Sequence, residues 1–319
     1  MERELKFGFN VESNALLCPN PAEFYTRAYV SDNVADNFRL LPGIKYKTKI
    51  ANNEFARALY ASKCKFEDIA QADLDAIDID VASVSALAEI CQFDAEQAFF
   101  SEMIRPGSNH AEFTPEMFMT HYWNSLASKV EEEIAIMRWQ GDTALPTTGA
   151  TGYLGEVDGY EKKLLAGVAG DVVGIAGSAI TKANVIDEMA KVYEALPSQL
   201  AHKVESLRFY VSANVAASYL QAVAENNTVL YTTMNPQLTW LGRIQIVIQE
   251  GMSDNTMVLT RKENLIYAFD ALADGSDLKA LNLTDVTAEP LLRTRTNLKL
   301  GFFLSNPAEI VYYSEDVTP

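Results

Sequence analysis

The sequence predicts an α+β fold, and three observations carry that prediction. One amphipathic helix of unusual length runs from Thr114 to Trp139. Two earlier stretches, Ile44–Ile50 and Ile77–Ile90, alternate apolar and polar residues with period two, as half-buried strands do. From Lys182 onward, helical and strand-like segments follow one another without the regular β-α-β repeat that builds a parallel sheet.

Taken in chain order, residues 1–35 mix apolar and polar positions without clean periodicity. Lys45, Lys47, Lys49, Arg57, Lys63 and Lys65 then follow, with Glu54 the one acid among them; Glu67, Asp68, Asp73, Asp75, Asp78 and Asp80 come directly after. Asn52-Asn53 is a turn signal, so this region reads as a hairpin whose lysines blunt an exposed edge. Ile77–Ile90 reads as one long strand. Asp94–Met103 reads as a capped helix, and Arg105–His110 as a loop.

Thr114 is a helix cap and Pro115 suits the first turn, where no N–H is needed. Phe118, Tyr122, Leu126, Val130, Ile134 and Met137 form one apolar stripe, and Gly141 is a natural stop. About 25 residues at about 1.5 Å each make a rod of about 37 Å. Glu131, Glu132 and Glu133 form an acidic run on it, which by itself reads as a solvated face. Gly141–Gly177, rich in Gly, Ala and Thr, reads as loop and short strand. Helices are expected at Lys182–Leu196 and Val215–Ala224. Strands are expected at Leu207–Ser212, Ile244–Gln249, Thr256–Thr260, Asn264–Phe269, Thr294–Leu304 and Glu309–Tyr313.

The bulk numbers bound the function. A chain of 319 residues, 48% hydrophobic and 22% charged, is globular and large enough for a substantial core. A formal net charge of −17 argues against a dedicated nucleic-acid binder, which needs a basic surplus. No apolar run reaches the length of a membrane span, and the start lacks the apolar core of a signal peptide. Cys18, Cys64 and Cys91 are widely spaced and odd in number, which fits reduced thiols.

Thr148–Gly155 matches the glycine-rich fingerprint of extended short-chain dehydrogenases, in which glycines let a backbone approach a pyrophosphate. The context does not fit. Asp142–Thr148 carries Pro146 and lacks the apolar character of a buried strand, and Gly159 interrupts the helix that should follow. No later tyrosine has a lysine four residues on. His110, His121 and His202 are far apart and outside any zinc-type spacing. No Walker motif, Gly-x-Ser-x-Gly elbow or His-Glu-x-x-His helix is present. The residues therefore indicate no catalytic, cofactor or metal site.

The order of these features resembles the major capsid proteins of tailed bacteriophages, the Hong Kong-type shell fold. In that family an extended hairpin, here within Gly43–Asp75, leads to a strand, Ile77–Phe93. A spine helix follows, Thr114–Trp139, ending in a turn at Gln140-Gly141-Asp142. Gly155–Leu165, Asn184–Leu196, Arg208–Asn214, Trp240–Ile248 with Gly251, and a strand pair from Leu291 to Tyr313 continue the series.

The resemblance implies an arm at 1–35 and an extended hairpin at 36–76. It further implies a peripheral domain at 77–148 and 277–299, and an axial domain at 149–276 and 300–319. It implies a non-enzymatic subunit, without cofactor, that self-assembles as hexamers and pentamers into an icosahedral head. The expected partners are the chain itself, portal and scaffold or cement proteins, and packaged DNA enclosed without specific binding, with no membrane. The expected location is the virion, after synthesis in the host cytoplasm. The family's loop lies across a neighbouring subunit, so Lys45, Lys47, Lys49, Arg57, Lys63 and Lys65 are candidates to meet Glu131, Glu132 and Glu133 there. An encapsulin-like compartment and a nucleotide-dependent enzyme using Gly149–Gly155 are the alternatives.

Overall fold

The computed structural model describes residues 21–30, 32–55, 72–91, 115–226, 239–240, 243–270, 278–283, 289 and 291–318. The expected helix Asp94–Met103, the loop Arg105–His110 and the Thr114 cap lie outside these residues.

Helix α1 (Pro21–Tyr29) buries Phe24, Tyr25, Ala28 and Tyr29, two neighbouring pairs one turn apart. This part of the segment expected to lack periodicity is thus a regular amphipathic helix, and the spacing of Phe24-Tyr25 and Ala28-Tyr29 was the missed signal. Helix α2 (Asp32–Asn37) and strand β1 (Arg39–Pro42) follow. Strands β2 (Thr48–Phe55) and β3 (Ala72–Ile79) pair antiparallel, Thr48 opposite Ile79 and Phe55 opposite Ala72. Asn52 and Asn53 stand inside this ladder, opposite Asp75 and Leu74, and do not form the expected turn. Cross-strand pairing overrides their local turn preference.

The single strand expected over Ile77–Ile90 is two strands. β3 ends at Ile79 and β4 (Ala82–Cys91) begins after a break at Asp80-Val81. The reason is a slip of phase: Ile77 and Ile79 turn inward at odd positions, whereas Val84, Ala86, Ala88 and Ile90 do so at even ones. The adjacent apolar residues Val81-Ala82 mark the slip, and the two strands take different partners, β2 and β12.

Helix α3 (Pro115–Gln140) has 26 residues. Its buried stripe is Met119, Trp123, Ala127, Val130, Ile134 and Met137. The second half matches expectation. In the first half the stripe lies one position later, and Tyr122 and Leu126 flank it half-buried.

A second correction comes next. Inside the stretch expected to be loop and short strand lies helix α4 (Tyr160–Val168), with Gly159 at its N-cap. It is amphipathic over only two turns, with Tyr160 and Leu164 buried, too short to stand out among glycines.

The remaining elements are β5 (Val173–Ala176), α5 (Val185–Glu194), α6 (Ser198–Ala201), β6 (Leu207–Val211) and α7 (Ala213–Asn226). Then come β7 (Thr239–Trp240), β8 (Ile244–Ile248), β9 (Met257–Arg261), β10 (Leu265–Phe269), β11 (Lys279–Asn282), β12 (Leu291–Leu304) and β13 (Val311–Ser314).

The described residues fall into two compact units, one drawn from 1–34, 83–135 and 270–299, the other from 35–82, 136–269 and 300–319. In the second, six strands order as β5-β13-β9-β6-β8-β7, with parallel β6–β8 and β13–β5 pairs in an otherwise antiparallel sheet. Leu207, Phe209 and Val211 of β6 pack with Val185, Met189 and Val192 of α5 and Val215 and Tyr219 of α7. Tyr210, at the intervening position, lies against Phe38 and Trp139 instead. Cover on both faces explains why β6 reads as nearly continuous apolar sequence. Tyr160 stacks on Phe38 at 5.7 Å between ring centroids and donates to the Ile266 carbonyl at 2.9 Å. The same unit holds β1 parallel to β10, and β10 antiparallel to the Leu300–Leu304 end of β12.

In the first unit, β11 and β4 both pair with the earlier part of β12. β12 alternates: Leu292, Thr294, Thr296 and Leu298 are buried, while Arg293, Arg295 and Asn297 are exposed. Polar groups on the buried face are bonded. Tyr25 pairs with Thr296 at 3.1 Å and Tyr122 with Thr294 at 2.7 Å. Phe24 meets Trp123 edge-on at 5.8 Å.

Candidate assembly surfaces

The hairpin lysines sit where the register puts them. Lys49 is directly opposite Asp78, and the Asp78 carboxylate takes both Lys47 at 2.9 Å and Lys49 at 3.3 Å. The hydrogen bond from Lys47 holds the Asp78 carboxyl below its usual range, and the same bond raises the Lys47 amine. All three groups are largely exposed, so solvent screens these pairs and they contribute little to stability. Lys45 is exposed beside them. Arg57, Lys63 and Lys65 lie outside the described residues.

On α3 the three adjacent glutamates have three environments. Glu131 is 3.8 Å from Arg27 of α1. Glu132 pairs with Lys129 one turn back at 3.0 Å. Glu133 is half-buried, and burial pushes its carboxyl up, with Lys129 opposing and Glu132 adding to the effect. The described hairpin lysines and these glutamates thus each have partners in their own chain.

The sequence reading missed a third surface, the outward face of the β4–β12–β11 sheet. There Leu87 is 68% exposed and Leu281 56% exposed, alongside Arg293 and Arg295. The signal was present as the Arg-Thr-Arg-Thr-Asn alternation over 293–297, which marks a strand with one wet face.

The glycine-rich loop has its own account. No strand leads into Thr148–Gly155; the chain reaches it from α3 through turns, and a short 3-10 turn covers Gly152–Gly155. A Cβ on Gly152 would fall 2.6 Å from the Thr147 carbonyl oxygen, and one on Gly155 would fall 2.7 Å from that of Leu145. These glycines let the loop pack on itself, and the following helix starts only at Tyr160. That is not the strand–turn–helix geometry that holds a dinucleotide.

The spine ends in a backbone clasp. Gly159 donates to the Gly141 carbonyl at 2.8 Å, and Gly141 to that of Met137 at 3.0 Å. Beside it the Lys162 amine reaches Asp142 and Asp158, each at 2.6 Å. Among the described residues no group of three or more His, Cys, Asp or Glu is placed to hold a metal ion. His121 and His202 are exposed and separate, and His110 lies outside the described residues. Cys91 is a free thiol; Cys18 and Cys64 lie outside the described residues. No helix among the described residues is long and apolar enough to cross a membrane.

The hairpin, spine helix, clasp, and sheet flanked by α5 and α7 stand in the order of the Hong Kong-type shell fold. Solved structures share it along nearly the whole chain. A chain of the satellite phage P4 procapsid, solved with its size determination (Sid) protein, matches with a TM-score of 0.56 at 9% identity, covering 92% of this chain and 97% of that one. The cyanophage A-1(L) capsid matches with a TM-score of 0.54 at 11% identity, covering 100% and 99%. The capsid of the empty GTA particle matches with a TM-score of 0.54 at 14% identity, covering 89% and 90%. No protein-family model matches the chain, and no curated protein matches it in sequence. At such identities the likeness is one of fold.

Proposed function

We propose that this chain is a major capsid protein, which assembles as hexamers and pentamers into the icosahedral head of a tailed phage. The observation that supports the reading is the match to capsid structures over 92% to 100% of this chain. The chain works by assembly, without chemistry or cofactor. Many modest contacts, multiplied by symmetry, close the container. Its partners are further copies of itself, a portal, and scaffold or cement proteins. The genome is enclosed without specific binding. The subunit is made in the host cytoplasm and ends in the virion. The arm, extended hairpin, peripheral domain and axial domain keep the boundaries given above. The hairpin cations remain candidates for contact with a neighbour's Glu131–Glu133 run.

The test is negative-stain electron microscopy with light scattering on the protein expressed alone and with its neighbouring phage genes. Uniform closed shells are expected, and nucleic acid inside particles from infected cells distinguishes a phage head from a compartment that holds protein cargo. A monodisperse small species under both conditions overturns the proposal.

A further inference from the structure

Independently of the shell reading, we infer that Lys163 is a site of selective acylation, its amine taking the acyl group of a small acyl phosphate. Lys163 stands in the first turn of α4, where its backbone N–H bonds the Gly159 carbonyl, and its side chain is half-buried. The amine donates to the Phe302 carbonyl of β12 and lies 4.0 Å from the centre of the Phe303 ring. Lys47, Lys49, Lys129, Lys162, Lys182 and Lys191 each reach a carboxylate. The Lys163 amine makes no ion pair among the described residues; its contacts are the neutral carbonyl and ring. Asp158 is the acid that acts on it from a distance. That carboxylate is already taken by the Lys162 amine at 2.6 Å and by the Thr143 N–H and hydroxyl, each at 2.8 Å.

Three features of this setting suit amide formation. The first is the proton. An amine cut off from water and without a bound counter-charge gives up its proton more readily than an exposed one. Burial pushes Lys163 down to about 8, with Asp158 opposing and Lys162 adding to the effect. The adjacent Lys162 goes the other way, raised by its bonds to Asp142 and Asp158. The second is the lone pair. A neutral amine keeps its bond to the Phe302 carbonyl through a remaining N–H, and its lone pair is free to attack. The third is the product. An amide retains one N–H for the Phe302 carbonyl and has no charge to bury, and its acyl group adds apolar surface beside the Phe303 ring. The step balances without oxidant or reductant. The lone pair forms a C–N bond to the acyl carbon, and the C–O bond to phosphate breaks. Inorganic phosphate leaves with that electron pair, and the surplus proton on nitrogen passes to water.

The experiment incubates the full chain with limiting acetyl phosphate at pH 7.5 and, separately, at pH 10.5. Acetylation at each lysine is followed by tandem mass spectrometry. Lys162 and the exposed Lys203 and Lys262 are the references. At pH 7.5 about a quarter of an amine titrating near 8 is neutral, against about one in a thousand for an amine at ~10.4. Lower intrinsic nucleophilicity and partial cover offset much of this difference. Lys163 is therefore expected to react about 5-fold to 10-fold faster than each reference at pH 7.5, and no faster at pH 10.5. Repeating the pH 7.5 reaction in concentrated urea should abolish the preference, because the fold creates it. Equal or slower labelling of Lys163 at pH 7.5 overturns the inference, and so does a preference that survives unfolding. Persistence of the fast signal in Lys163→Arg also overturns it. None of these readouts depends on closed particles, so failure here and failure of the shell reading are separate results.

Discussion

Gly141 and Gly159 each stand where an added side chain would run into backbone. A Cβ on Gly141 would lie 2.2 Å from the Val157 carbonyl oxygen, and one on Gly159 would lie 2.5 Å from that of Trp139. Both obstacles are backbone and cannot rotate away. Gly141→Ala is expected to cost about 3 kcal/mol by overpacking, measured by denaturant unfolding. Gly149→Ala is the control: nothing lies within 4 Å of its Cβ, but its φ of +93° is left-handed, so about 1 kcal/mol is expected. Lys163 gives a prediction in pH. Its amine donates to the Phe302 carbonyl and sits 4.0 Å from the centre of the Phe303 ring, and burial pushes it down to about 8. The folded state therefore holds this proton less tightly than the unfolded chain, where lysine titrates near 10.5. The cost of burying the charge is fully present below pH 8 and is relieved as pH rises toward 10.5. Stability measured at pH 7.5 and 9.5 should rise more in the wild type than in Lys163→Met; equal changes would contradict the assignment.

At the scale of elements, the spine helix shows what periodicity can and cannot do. Its length and ends were readable because a Pro start, an apolar stripe and a glycine stop agree. Its buried face was readable only in the second half, because Phe118, Tyr122 and Leu126 compete with Met119, Trp123 and Ala127 for one stripe. Sequence spacing allows either, and the packing of Phe24 on Trp123 decides. Ile134 is 2% exposed, and Ile134→Ala should cost about 2–5 kcal/mol in thermal or denaturant unfolding. Leu126→Ala, on the flank, should cost less than Ile134→Ala in the same assay. The hairpin lysines were legible as a strand edge but not as ion pairs, since no local pattern says that Lys49 will face Asp78 across the ladder. The exposed sheet face was missed for a similar reason: Leu87, Leu281 and Arg293 come from three distant segments that only the tertiary pairing assembles.

For the molecule as a whole, net charge gives a prediction independent of any contact. With a formal charge of −17, the free subunit is expected not to retard duplex DNA in a gel-shift assay at about 0.15 M salt. Clear retardation would contradict enclosure without binding. The order of elements was legible in the sequence because each carries its own period and punctuation. The division into units was less so, since each unit is drawn from three separate stretches of chain. The spine helix crosses from one stretch to another at Ala135–Ile136, and β12 does so at Lys299–Leu300. This has a consequence for how such genes recombine. A crossover almost anywhere between residues 35 and 299 joins pieces of both units from different parents. Modular exchange of a whole unit is closed to this fold, and its variants should differ by loop insertion and by gradual side-chain drift, which leaves the shape in place long after the sequence has changed.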